Sequence, residues 1–143
     1  MQKIIVLLLM FTSMMNMTAC STESNEQEQS TSGTGSYFGS KKVLIAYFSW
    51  GGTTRRMAQE IQRITGGDIF EIEPSTPYPT DYTECTQVAR RERDNDERPA
   101  LKNSVANFDD YDVVFIGCPV WWHTAPMIIS TFAESYNFKG KTV

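Results

Sequence analysis

Two short loops hold most of the residues in this sequence whose types and spacing suit chemistry. The first is Ser49-Trp50-Gly51-Gly52-Thr53-Thr54, which follows the apolar run Val43 to Phe48 and precedes a helical pattern. A loop between a buried strand and a helix N-terminus offers unpaired N–H groups and the positive end of the helix dipole, so it suits a phosphate. Glycines let the backbone wrap closely, and the hydroxyls of Ser49, Thr53 and Thr54 add donors to phosphate oxygens. The loop lacks the lysine of a P-loop, which points away from ATP and towards a phosphate held largely by neutral donors. A hydrophilic turn that binds nothing is the plainer alternative; the convergence of three hydroxyl residues weighs against it.

The second loop is Pro119-Val120-Trp121-Trp122-His123, inside the stretch Gly117 to Pro126. Adjacent tryptophans are poor core material, because neighbouring side chains do not easily share one buried environment. A planar ring system stacked on an indole explains them better. His123 is the only histidine and could donate a proton near neutral pH, but no partner acid is identifiable, which favours a solvated loop residue. Cys85 and Cys118 show no CxxC spacing and are read as buried free thiols, with one disulfide as the alternative in an oxidising compartment. With a single His and these thiols, no metal-ligand spacing is present. Asp109, Asp110 and Asp112 read as a solubilising cluster beside a strand.

These loops need elements to hold them. Val43 to Phe48 is a continuous apolar run, as in a strand covered on both faces of a parallel sheet. Met57, Ile61 and Ile64, with Ala58 beside them, recur at helical spacing, and Gly66-Gly67 ends that helix. Asp68 to Glu73 mixes apolar and acidic residues like a more exposed strand, stopped by Pro74, Pro77 and Pro79. Asp81 with Glu84 predicts a helix start, with Tyr82, Cys85, Val88 and Ala89 on one face; Arg90 to Arg98 reads as a solvated, charged helix end. Tyr111 to Gly117 is a third strand. Thr124 is the expected cap of a last helix with Pro126 in its first turn and Ile128, Ile129 and Phe132 as its apolar face. Gly140 to Val143 reads as the beginning of a fourth strand. Alternating strands and helices predict an α/β, doubly wound parallel sheet.

Phe48 to Thr54 resembles the phosphate loop of flavodoxin-like proteins. Gly117 to Pro126 is similar to the flavin-ring loop of an oxidoreductase-like branch of that family, and this chain also resembles that branch at Glu71-Ile72-Glu73-Pro74 and at Tyr78-Pro79-Thr80-Asp81-Tyr82. The resemblance covers nearly everything from Lys42 to Val143. It implies a flavodoxin-like fold of strand order 2-1-3-4-5, of which this chain carries the part up to the start of the fourth strand, so that the chain is expected to be a C-terminally truncated fragment. It implies FMN as cofactor, with Ser49 and Thr54 giving hydroxyls and Gly51, Gly52 and Thr53 giving N–H groups to its phosphate. Trp50 would be a further cofactor-binding residue of that phosphate loop, and Pro119 to His123 would stand near the ring, with His123 where the family pattern suggests a small residue. The implied role is that of a redox protein, either an electron carrier for a partner protein or an NAD(P)H oxidoreductase of the quinone or small-acceptor type. A flavin-free surface binding protein, or a non-functional fragment, is the alternative.

The chain of 143 residues is 41% apolar and 21% charged, which suits one ordinary globular domain. A net charge of −4 argues against nucleic acid, whose phosphates need a basic stripe, and suits basic partners. Residues 1–19 read as a signal peptide: Lys3 is the positive region, Ile4 to Phe11 the apolar run, and Met17-Thr18-Ala19-Cys20 the processing site. The run is shorter than the roughly 20 apolar residues of a membrane span. Small residues before Cys20 resemble the lipobox of bacterial lipoproteins, which implies lipidation of Cys20 and attachment to the membrane surface of the bacterial cell envelope; an ordinary secretory signal is the alternative. Residues 20–40 are polar and read as a flexible tether, with 41–143 the folded domain. If Cys20 carries lipid, the expressed chain partitions into detergent and its Cys20→Ala variant into the aqueous phase; aqueous partitioning of both would refute lipidation.

Overall fold

The computed structural model describes residues 38–143, so the expected signal peptide, Cys20 and the tether up to residue 37 lie outside the described residues. Strand β1, Val43–Tyr47, is buried at all five positions. It pairs in parallel with β2, Asp68–Glu71, on one edge and with β3, Val113–Gly117, on the other, giving the order β2-β1-β3. Parallel neighbours cannot be joined by a tight turn, so helices cross between them: α1, Thr53–Thr65, after β1, and α2, Tyr82–Asp94, between β2 and β3. Helix α3, Met127–Ser135, follows β3. Where Gly140 to Val143 predicts a new strand, Thr142 forms a parallel bridge to Val113, and its carbonyl accepts the Val114 N–H at 2.8 Å.

The alternation of side chains along β1 divides the core. Leu44, Ala46 and Phe48 pack with Ile72, Phe108, Val114, Ile128 and Phe132 on one face. Val43, Ile45 and Tyr47 pack with Ala58 and Val113 on the other. Because both faces are covered, β1 has no polar alternation to show. Phe38, at the end of the expected tether, sets its ring edge-on to Phe115 at 5.9 Å.

Several boundaries and faces differ from the sequence expectation. Strand β2 ends at Glu71 and β3 begins at Val113. Helix α1 does close at Gly66, which is left-handed and donates its N–H to the Gln62 carbonyl at 2.7 Å. However, Met57 and Ile64 are exposed (63% and 48%), and the inward side is Thr54, Ala58, Ile61 and Thr65. The small residues let the helix lie close to the sheet, and this rotation leaves Met57 and Ile64 outside while Ile61 packs inward. Asp81 caps α2 as predicted, its Oδ1 accepting the Glu84 N–H at 2.9 Å. Within the segment expected to be wholly solvated, Glu92 is buried at 5% exposure, because it lies on the same side of α2 as Cys85 and Ala89. Thr124 does not cap α3: the capping position is Pro126, and Thr124 is held in the preceding loop by paired backbone bonds with Trp121.

Gly67 lets the chain leave α1 against β1. A Cβ there would stand 2.8 Å from both Ile45 Cδ1 and the Val43 carbonyl oxygen, so backbone would have to shift. Gly67→Ala is therefore expected to destabilise the fold by about 1–3 kcal/mol. At neighbouring Gly66 the space is open and Asn tolerates the positive φ, so Gly66→Asn should cost less. Thermal melts of the two variants check this; an unchanged melt for Gly67→Ala would refute the close approach.

Candidate functional site

The loop after β1 turns on Gly52, whose φ of 84° places it in the left-handed region at the N-cap of α1. Ser49 Oγ accepts the Gly52 N–H at 3.1 Å, so this hydroxyl shapes the loop from within. The first helical bond to the cap is from the Arg56 N–H to the Gly52 carbonyl, which leaves the N–H groups of Thr53, Thr54 and Arg55 as first-turn donors without helical acceptors. No acidic residue lies in that turn, and nothing stands within 4 Å of a Cβ on Gly51 or Gly52, so the loop faces open space. Thr54 Cγ2 lies 3.2 Å from where a Cβ on Gly117 would begin, which seats Thr54 against the end of β3. Arg55 is drawn towards β2 by Glu71, with Nη2 to Oε1 at 2.6 Å, and Tyr47 donates its hydroxyl to Glu71 Oε2 at 3.1 Å.

Trp50 leaves this loop in the opposite sense. Its Nε1 donates to the Pro79 carbonyl at 2.9 Å and its ring tilts against Tyr82 at 6.4 Å. It lines a cleft of about 340 Å³, floored by Cys85, Thr86 and Ala89 of α2 and closed on the far side by Val120, Trp121, Trp122 and His123. Thus Trp50 and the second loop come together, while Ser49 and Gly51 to Thr54 sit beside the cleft and not in its wall. Pro119, half-buried, carries the chain from β3 into the loop.

The two tryptophans do not share an environment. A bridge between Trp121 and Thr124 makes a tight hairpin whose central residues, Trp122 and His123, both have positive φ, 49° and 65°. That geometry sends successive side chains apart. Trp121 turns inward, edge-on to Phe48 at 5.3 Å and to Tyr78 at 5.0 Å. Trp122 turns onto α2: its Nε1 donates to the Thr86 carbonyl at 3.0 Å, and Arg90 and Arg93 lie over its ring at 5.6 and 5.3 Å. His123 is exposed at the tip, with a φ of 65° in the left-handed region that favours glycine.

Residues 42–143 match the family model described as Flavodoxin. The chain belongs to the flavodoxin family. Among solved structures, this flavodoxin-family chain is similar to a candidate flavoprotein from Bacteroides eggerthii at 43% identity and a TM-score of 0.64, covering 71% of this chain and 66% of that one. A second candidate flavoprotein, from Bacteroides uniformis, is 38% identical with a TM-score of 0.63, over 71% of this chain and 67% of that one. A flavoprotein from Lactobacillus acidophilus, solved in complex with FMN, is 28% identical with a TM-score of 0.61, over 66% of each chain. The chain thus spans about two thirds of the length of these relatives. No curated protein matches it significantly.

Sequence reasoning placed Tyr78 in a stretch that carries the resemblance but gave it no site role, and it did not single out Glu92. Tyr78 sets its ring against Phe48 at 5.5 Å as well as against Trp121, and donates its hydroxyl to Glu92 Oε2 at 2.7 Å. Its place between Pro77 and Pro79 was the available signal: an aromatic residue in a stiff, extended segment is a natural anchor. For Glu92, inside a run of charged residues, no such signal exists. Both thiols are free, with Cys85 buried and Cys118 half-buried, and burial pushes both above the ordinary thiol range, which keeps them protonated at neutral pH.

Burial also raises the Glu92 carboxyl above its ordinary value of 4.5, outweighing the Tyr78 hydrogen bond that lowers it. A carboxyl raised in the folded state stabilises the fold below its unfolded value, and that contribution is lost as pH rises through the folded value. Glu92→Gln, which keeps an acceptor for Tyr78 without the charge, should therefore gain in melting temperature relative to the wild type as pH rises from about 4 to about 8. Parallel melting curves over that range would refute a carboxyl raised by burial.

Proposed function

We propose that this chain binds FMN, with the phosphate on the loop Ser49 to Thr54 and the ring at the cleft between Trp50 and Trp121, and acts as a redox protein. The observation that carries this reading is the joining of two unlike surfaces. A helix N-terminus with open glycines and unpaired N–H donors suits a phosphate, and an aromatic cleft beside it, walled by Trp50, Tyr82, Val120 and Trp121, suits a planar apolar ring. Membership of the flavodoxin family and likeness to an FMN-bound flavoprotein support the choice of FMN.

When bound, FMN supplies the electron-accepting and electron-donating chemistry. This chain's residues supply the rest. Ser49 holds the loop open by accepting from Gly52, Thr53 and Thr54 present N–H groups and hydroxyls, and the first turn of α1 offers a positive dipole end with no acidic residue of its own. Val120 and the tryptophans keep water from one side of the cleft, and His123 at the rim is placed to meet solvent or a second reactant.

Two uses of such a site remain within the proposal: electron transfer with a partner protein, or reduction by NAD(P)H followed by delivery to a quinone or other small acceptor. Attachment through lipid on Cys20 would hold either activity at the membrane surface of a bacterial envelope.

Titration with FMN, followed by quenching of flavin fluorescence, tests the binding. Thr54→Val preserves the methyl packed at Gly117 and removes the hydroxyl, and should weaken binding by about 1.5–3 kcal/mol if that hydroxyl meets the phosphate. Trp121→Ala should lose roughly 0.5–1.5 kcal/mol of aromatic contact. Wild-type affinity in both variants, or no binding by the wild type, would refute the site. Bleaching of the bound flavin by NAD(P)H would then favour the oxidoreductase over the carrier.

A further inference from the structure

Helix α2 holds both tryptophans of the second loop, by different means. Trp122 is fixed directly, through the Thr86 carbonyl and the guanidinium groups of Arg90 and Arg93. Trp121 has no polar bond from its side chain to α2. Its link runs through Tyr78, whose ring meets Trp121 at 5.0 Å and an interplanar angle of 81°, and whose hydroxyl is bound to the buried Glu92 carboxyl. Tyr78 also meets Phe48, the residue before the phosphate loop, so one ring touches the root of both loops.

We propose that Glu92 is a positioning residue of the flavin site: through Tyr78 it fixes Trp121, so that the protonation of one buried carboxyl sets how firmly the ring is held. This rests on the flavin reading above. The ionised carboxylate accepts a short, charge-assisted bond from Tyr78, and the neutral acid accepts a weaker one. A weaker bond frees the Tyr78 ring to turn, and among the described residues Tyr78 and Phe48 are the aromatic neighbours that keep Trp121 in place. Protons have a route to Glu92, which lines a second cleft of about 370 Å³ formed by Pro74 to Pro79, Val88, Arg91, Pro99 and Ala100. The titratable and charged groups that face it are Tyr78 from the proline-rich loop, Glu97 from the turn after α2, and Cys85 and Arg91 from α2 itself. On α3, Glu134 is taken up by Arg98 at 2.9 Å. Burial raises the carboxyl above its ordinary value, which favours the neutral form.

The test uses the full chain with Trp50→Phe and Trp122→Phe, which leaves Trp121 as the sole indole. Its emission, without flavin, is expected to change with pH in a single step while Glu92 is present, and to be flat in Glu92→Gln and in Tyr78→Phe. In the otherwise wild-type chain, FMN should bind more tightly above that step than below it. Tyr78→Phe should weaken binding roughly three- to ten-fold above the step and remove its pH dependence; Glu92→Gln should also bind independently of pH. Melting curves establish that each variant is folded, and should Tyr78→Phe fail to fold, Glu92→Gln alone decides. Emission that titrates equally in Glu92→Gln, or FMN affinity that follows the wild type at every pH in both variants, overturns the proposal. Emission that titrates as expected in a chain that binds no FMN refutes the flavin reading and the affinity claim with it, leaving only the coupling of Glu92 to Trp121.

Discussion

Strand β1 is hydrogen-bonded along both edges and covered on both faces, and every part of the site is referred to it. Its pairing with β3 carries the register Tyr47 to Gly117, and the Phe48 N–H continues the ladder to the Gly117 carbonyl at 2.8 Å. The two loops therefore leave the sheet side by side, one from each strand. A slip of one residue would exchange the faces of β1 and move Phe48 away from Tyr78 and Trp121. The complete burial of Val43 to Tyr47 makes such a slip costly, since each of these side chains already fills space in a packed face.

On this fixed base the two loops are treated differently. The first is shaped by backbone chemistry: a left-handed Gly52, an internal hydroxyl bond and the start of α1. The second is shaped by side chains, because its hairpin places two residues at positive φ and turns one tryptophan into the core and the other onto α2. Strain at Trp122 and His123 is held by what surrounds them, chiefly the cation–π contacts and the Thr86 bond on Trp122. Helix α2 is thus more than a crossover between β2 and β3. It is the floor of the cleft and the anchor of its far wall.

How much was legible beforehand depended on whether the cause was local. The all-apolar run of β1, the Gly66 stop of α1 and the Asp81 cap of α2 are each decided within a few residues, and the sequence shows them. The inward face of α1 is not legible in that way: Met57, Ile61 and Ile64 do lie on one side of the helix, but the side that meets the sheet is the one that seats Thr54 closely at Gly117. Thr124 has the residue type of a cap, but Pro126 stands at the capping position and Thr124 closes the Trp121 hairpin instead.

The sequence by itself determined the fold class and the position of a phosphate-suited loop, since hydrophobic period, glycine placement and hydroxyl clustering act locally; the strand order about β1 was implied only by the family resemblance and is fixed by pairing between distant strands. Only the tertiary structure decided that adjacent tryptophans part company, that Glu92 in a run of charges is buried, and that Tyr78 links it to Trp121. Those outcomes rest on contacts between residues 14 to 73 positions apart, such as Glu92 with Tyr78 and Trp121 with Phe48. No local pattern records such contacts, because the partner is supplied by the packing of another element.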